Sequence, residues 1–177
     1  MGYYVRTDES QLRIRAEDKP LAYQAVCAIN APEYNHLKRG GCSAGGEVRE
    51  VWYSWMPADY PSETKTLEDV FELLGFQVDH DLDGSGDIVG LGYDNKRGAE
   101  DIFMLALAPY VEDGSRIVWV GEDGERWVWR FQNGTMRRHG VRWVESEESS
   151  PIEYYAGLDE APDTHGFKPV ELGVLTA

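Results

Sequence analysis

Two dipeptides, Asp123-Gly124 and Asn133-Gly134, constrain this chain more than anything else in its sequence. Asx-Gly pairs supply the positive φ angles that tight hairpins need. Here they separate three runs rich in aromatic and branched residues, at 116–121, 125–132 and 135–144. The pattern predicts an antiparallel meander, and the turn chemistry predicts its register. In a two-residue Asp123-Gly124 loop Glu122 faces Glu125, Val120 faces Trp127 and Val118 faces Trp129. In a two-residue Asn133-Gly134 loop Phe131 faces Met136, Arg130 faces Arg137 and Val128 faces His139. One face then holds Val118, Val120, Trp127, Trp129, Phe131 and Met136 and reads as core. The other gathers Arg126, Arg130, Arg137 and His139 around Trp119, beside Ile117 and Val128.

Upstream, helical and strand signals alternate. Residues 3–15 read as a hairpin, with Tyr3–Arg6 and Leu12–Arg15 as strands and Thr7-Asp8-Glu9-Ser10 as the turn. A helix begins near Asp18 with Pro20 in its first turn, and Pro32 ends it. The Gly-rich segment 38–47 reads as a flexible loop leading into a strand at 48–56. It lacks the following helix and the Gly-Lys-Ser/Thr ending that phosphate cradling requires. Thr66 and Asp69 have capping-box spacing ahead of the apolar stripe Leu67, Val70, Phe71 and Leu74, and Gly75 marks its end. Another helix is expected over 99–111, shortened by Pro109, with Ile102, Phe103, Ala106 and Tyr110 facing inward. The expected fold is therefore α+β. An antiparallel sheet of roughly five to seven strands, ending in the meander, is packed by about three α-helices. Residues 1–145 form one domain. The segment 146–177 reads as an acidic linker and tail docked on it, because the composition shifts at Glu145-Ser146-Glu147-Glu148-Ser149-Ser150-Pro151.

The 177 residues carry 17 basic and 32 acidic side chains, a net charge of −15. Such a chain repels a phosphate backbone, so direct nucleic-acid binding is not expected. Carboxylates can instead imitate phosphates and occupy a basic groove of another protein. The charge is concentrated at 61–120, where 4 basic and 13 acidic residues give −9. No run approaches the ~20 apolar residues of a membrane span, and no signal-peptide pattern opens the sequence. Two cysteines, Cys27 in an apolar helical pattern and Cys42 in the Gly-rich segment, are too few for a disulfide framework. They fit a reducing, cytoplasmic setting.

Three stretches are candidates for chemistry. Asp79, Asp81, Asp83 and Asp87, with Gly84, resemble the first half of a calcium loop. The match then fails, because Gly90 stands where the bidentate Glu belongs. An acidic turn joining strands at 76–78 and 88–91 accounts for the segment better, and its carboxylates are candidates for binding a basic partner. The four histidines have no metal-ligand spacing, so no metal and no cofactor are expected. The third candidate is the meander's basic face. Arg130 opposite Arg137 is a like-charge pair that needs an anion nearby. The arginines can lie on a solvated face, or be covered by the acidic tail (Glu145, Glu147, Glu148 and Glu153, with Tyr154 and Tyr155). Alternatively, Trp119, Arg126, Arg130, Arg137 and His139 form a site for a small anionic, nucleotide-like ligand.

The segments Tyr93-Asp94-Asn95-Lys96 and Val120-Gly121-Glu122-Asp123-Gly124-Glu125-Arg126-Trp127, followed by the Asn-Gly hairpin, resemble small uncharacterised proteins of actinobacteria and their phages over roughly residues 65–145. The resemblance implies a phage or accessory-genome setting, in which small acidic proteins bind and block host proteins. It transfers no activity and no site. Taken together, these features predict a non-enzymatic binding protein that modulates a host protein with a basic surface. The anionic-ligand protein is the alternative, and an unrecognised metal-dependent enzyme the second alternative.

Overall fold

A computed structural model of the protein describes the backbone of residues 2–44, 47–144, 152–154 and 159–160, and the side chains of residues 2–42 and 50–141. The fold is α+β. Six strands form an antiparallel sheet: β1 (Tyr4–Gln11), β4 (Phe76–His80), β5 (Ile88–Lys96), β6 (Arg116–Gly121), β7 (Arg126–Gln132) and β8 (Thr135–Gly140). Their spatial order is β8-β7-β6-β1-β5-β4, and β11 (Asp159–Glu160) adds a short seventh strand beside β8. Two separate ribbons pair β2 (Gly40–Ala44) with β3 (Glu47–Trp52), and β9 (Arg142–Val144) with β10 (Ile152–Tyr154). The helices are α1 (Lys19–Ala28), α2 (Tyr60–Glu63), α3 (Leu67–Leu74) and α4 (Glu100–Leu107), with 3-10 turns at Pro32–Leu37 and Ala108–Tyr110.

Local chemistry accounts for the helix ends. Thr66 and Asp69 close the capping box that their spacing suggests, and Gly75 ends α3 at φ 93°. Carbonyls at and just past the C-terminal end of α1 need partners from outside the helix. Tyr60 Oη donates to the Val26 carbonyl, Tyr53 Oη to the Ile29 carbonyl at 2.8 Å, and Lys38 Nζ to the Asn30 carbonyl at 2.7 Å. Both tyrosines are buried and pack edgewise or tilted against Phe103 of α4. Cys27 is half-buried rather than in the core, and Cys42 is exposed; both are free thiols.

Two sequence expectations are corrected. Residues 3–15 are not a hairpin, because β1 runs through Thr7–Ser10 as a central strand between β5 and β6. The turn-forming hydroxyls instead carry the pairing with β5 past Arg6: Thr7 Oγ1 accepts the Tyr93 N–H at 2.9 Å and Ser10 Oγ accepts the Leu91 N–H at 3.0 Å. Residues 40–44 of the Gly-rich segment are a strand rather than a loop.

The register of the meander is a third correction. The Asn133-Gly134 loop has two residues as expected, with φ of 51° and 67°, and pairs Arg130 with Arg137 and Val128 with His139. The other loop has three. Gly121 N–H donates to the Glu125 carbonyl at 2.8 Å, and Gly124 takes φ 83°. The extra residue puts Trp119 opposite Trp127 and Ile117 opposite Trp129. Ile117, Trp119, Trp127, Trp129, Phe131 and Met136 therefore share the helix-facing core. The Asp123-Gly124 dipeptide fits both loop lengths. The longer one stacks Trp119 on Trp127 at 6.1 Å in the interior, where burial of a large aromatic contributes most.

Candidate functional site

Trp119 is 1 % exposed, among Phe76, Tyr93, Trp127 and Trp129, and is no stacking platform for a ligand. The arginines nevertheless stay together, because Arg126, Arg130, Arg137 and His139 all project from the sheet's other face. They are joined by Arg116, which pairs with Arg130. Arg116, Arg130 and Arg137 form one row across β6, β7 and β8, with neighbouring Cβ atoms about 5 Å apart. Such a row of like charges needs counterions. Glu9 meets Arg116 at 2.8 Å and Asp8 meets Arg126 at 2.6 Å, both from the β1 bulge. None of Arg116, Arg126, Arg130, Arg137 and His139 is without a partner. Val118 and Val128, on the same face, are 1 % and 0 % exposed. Arg137 is exposed on this face, and Arg116, Arg126, Arg130 and His139 are half-buried.

Of the acidic tail expected to cover these arginines, Glu145, Glu147, Glu148 and Tyr155 lie outside the described residues, and Glu153 and Tyr154 are described by backbone alone. The described backbone brings Ile152–Tyr154 beside β9, and Asp159 and Glu160 opposite His139 and Arg138.

The acidic segment is the β4–β5 hairpin loop. Its four aspartates do different things. Asp87 is buried and structural. It accepts the Ala16 N–H at 2.8 Å and pairs with Arg13 Nη2 at 2.7 Å, and these bonds hold its carboxyl below the usual range. Asp81 reaches the same guanidinium at 3.4 Å and accepts the Asp83 N–H through its other oxygen. Asp83 accepts the Ser85 N–H at 2.7 Å, which lowers its carboxyl as well. Asp79 is exposed on β4, against Gly90. Gly84 and Gly86 both take φ 80°, which lets the chain fold tightly enough for these bonds. At the tip, between Asp81 and Asp83, Leu82 is 102 % exposed. Sequence reading missed Leu82, because one apolar residue in an acidic run carries no periodic signal.

Among the described residues no group of three or more His, Cys, Asp or Glu side chains could hold a metal ion. No described helix is long and apolar enough to cross a membrane. A groove of about 410 Å³ opens beside Tyr4, Arg6, Asp94, Val120 and Glu122. It mixes both charge signs, and its Val120 lies opposite Arg126. In comparisons with known proteins, no family model, no curated protein and no solved structure matches the chain.

Proposed function

We propose that this is a non-enzymatic binding protein that docks on a basic surface of another protein through the tip of its β4–β5 hairpin. The observation that carries the reading is Leu82, fully exposed on a turn whose neighbours are fixed by Asp81, Asp83 and Asp87. A braced apolar knob can enter a pocket at little entropic cost, and a carboxylate rim selects a cationic surround. The net charge of −9 over residues 61–120 favours the same partner. The resemblance to actinobacterial and phage proteins supports a host protein as that partner, and two free cysteines support a cytoplasmic encounter. The anionic-ligand reading keeps the arginine row but loses Trp119, so the hairpin is preferred.

Capture from an actinobacterial lysate tests this with three baits: wild type, Leu82→Ser, and Asp79→Lys with Asp83→Lys. The expected result is a basic protein held by wild type, released by about 0.5 M salt as surface electrostatics are screened, and lost from both variants. Equal capture by all three baits would exclude the hairpin.

A further inference from the structure

Glu100, at the first position of α4, is 3 % exposed, and among the described residues no cation pairs with its carboxyl. Its Oε1 lies 2.5 Å from Tyr93 Oη, and the Gly98 N–H points at both carboxyl oxygens, 2.7 Å from Oε1 and 2.9 Å from Oε2. Tyr93 Oη also lies 2.7 Å from the Lys96 carbonyl oxygen. A phenol has one proton, and it cannot serve both acceptors. With a carboxylate at position 100, one of the two short oxygen pairs has no proton between its members. With a carboxylic acid the count closes. Glu100 donates to Tyr93 Oη, Tyr93 donates to the Lys96 carbonyl, and Gly98 N–H retains Oε2.

We propose that Glu100 is held as the protonated acid and acts as a pH-operated latch on the turn at 96–98 and on Trp55, which rests against that turn. The surroundings fit. On α4 itself Asp101 adds a like charge, turned toward Arg97 at 3.8 Å. From the turn, the Lys96 ammonium points away, over the rings of Tyr4 and Trp55 at 5.6 and 5.9 Å. From the preceding loop, Trp55 and the Ser54 carbonyl crowd Gly98, where even a Cβ would meet Trp55 Cδ1 at 2.6 Å. Helix α1 buries only Ala22, Ala25 and Val26, and Tyr53 and Tyr60 direct their hydroxyls to α1 carbonyls. On β8, Met136 is buried and Arg138 lies over Trp127. Burial raises the Glu100 carboxyl above its ordinary range and Asp101 adds to this, against the lowering hydrogen bonds of Tyr93 and Gly98.

The latch has something to release. Trp55 is 62 % exposed and takes φ 69°, a backbone state that is strained for a bulky residue. Its indole N–H reaches the Arg97 carbonyl at 3.5 Å, so the indole is tethered to the segment that Glu100 holds. Ionising Glu100 takes one proton from the chain of oxygens, so the Tyr93 hydroxyl turns to the carboxylate and the Lys96 carbonyl loses its donor, while Gly98 N–H is held more tightly.

A carboxyl-detected NMR titration of the intact protein tests the proposal, with Gly98 and the Trp55 indole as reporters. Glu100 should titrate with a midpoint above ~4.3, the model-peptide value. The Gly98 amide and Trp55 indole signals should move with that same midpoint. In Glu100→Gln these movements should vanish, because the side-chain amide can donate to Tyr93 and accept from Gly98 at every pH. A Glu100 midpoint at or below ~4.3 would overturn the proposal, and so would Gly98 and Trp55 movements that persist unchanged in Glu100→Gln. If that variant does not fold, the wild-type midpoint and its coincidence with the two reporters decide alone.

Discussion

Asp87 and Asp83 belong to the same acidic run, yet only Asp87 ties the hairpin loop to the body of the protein. Its bonds to the Ala16 N–H and to Arg13 need the carboxylate, and they depress its pKa, the amide bond most. A depressed carboxyl contributes stability that is present above its unfolded-state pKa and lost as pH falls through the folded one. Asp87→Asn should therefore melt below wild type at neutral pH, and the gap should close through the acid range below pH ~4. Melting curves against pH measure this, and parallel curves would show that Asp87 contributes no charge-dependent stability. No residue-type rule separates Asp87 from Asp83 in the sequence, because the separation depends on Arg13 and Ala16, which are remote in the chain. Trp119 misleads for a related reason. Its face follows from one residue of loop length, and nothing in its own neighbourhood gives that length away.

Element boundaries were legible wherever the signal is local. The capping box of Thr66 and Asp69, the stop at Gly75 and the Asn133-Gly134 turn all follow from short-range chemistry, and each is present. Thr7–Ser10 was misread because its hydroxyls satisfy a neighbouring strand's N–H groups, and turn propensity cannot register that use. The Asp123-Gly124 loop fits two lengths, and tertiary burial of the tryptophans favours the longer. That loop depends on Gly124 at φ 83°, where an added Cβ meets nothing within 4 Å. The cost of a side chain there is conformational alone. Gly124→Ala should lose about 1 kcal/mol in urea unfolding, and Gly124→Asn should recover most of it, because Asn tolerates the left-handed region. Equal losses for Ala and Asn would mean that something other than backbone conformation sets the cost.

At the scale of the whole molecule acidic and basic side chains are unevenly placed along the sheet, although the arginines have acidic neighbours in Asp8 and Glu9. The β4–β5 side carries Asp79, Asp94 and the hairpin loop, and the β6–β8 side carries Arg116, Arg126, Arg130, Arg137 and His139. Net charge alone would attract a cationic partner to any acidic surface. The uneven placement would orient it toward the hairpin, where Leu82 waits, and away from the arginine row. Two variants of equal charge separate these effects. Asp79→Lys with Asp83→Lys changes the net charge from −15 by +4 to −11 at the hairpin. Glu33→Lys with Glu63→Lys makes the same change at exposed helical positions. Stopped-flow association with the captured partner, across a salt series, measures the difference. The hairpin variant should associate about tenfold more slowly at low salt, with a shallower salt dependence. The helical variant should stay close to wild type, with dissociation little changed in either. Equal slowing of both variants would mean that total charge, and not the hairpin, brings the partner in.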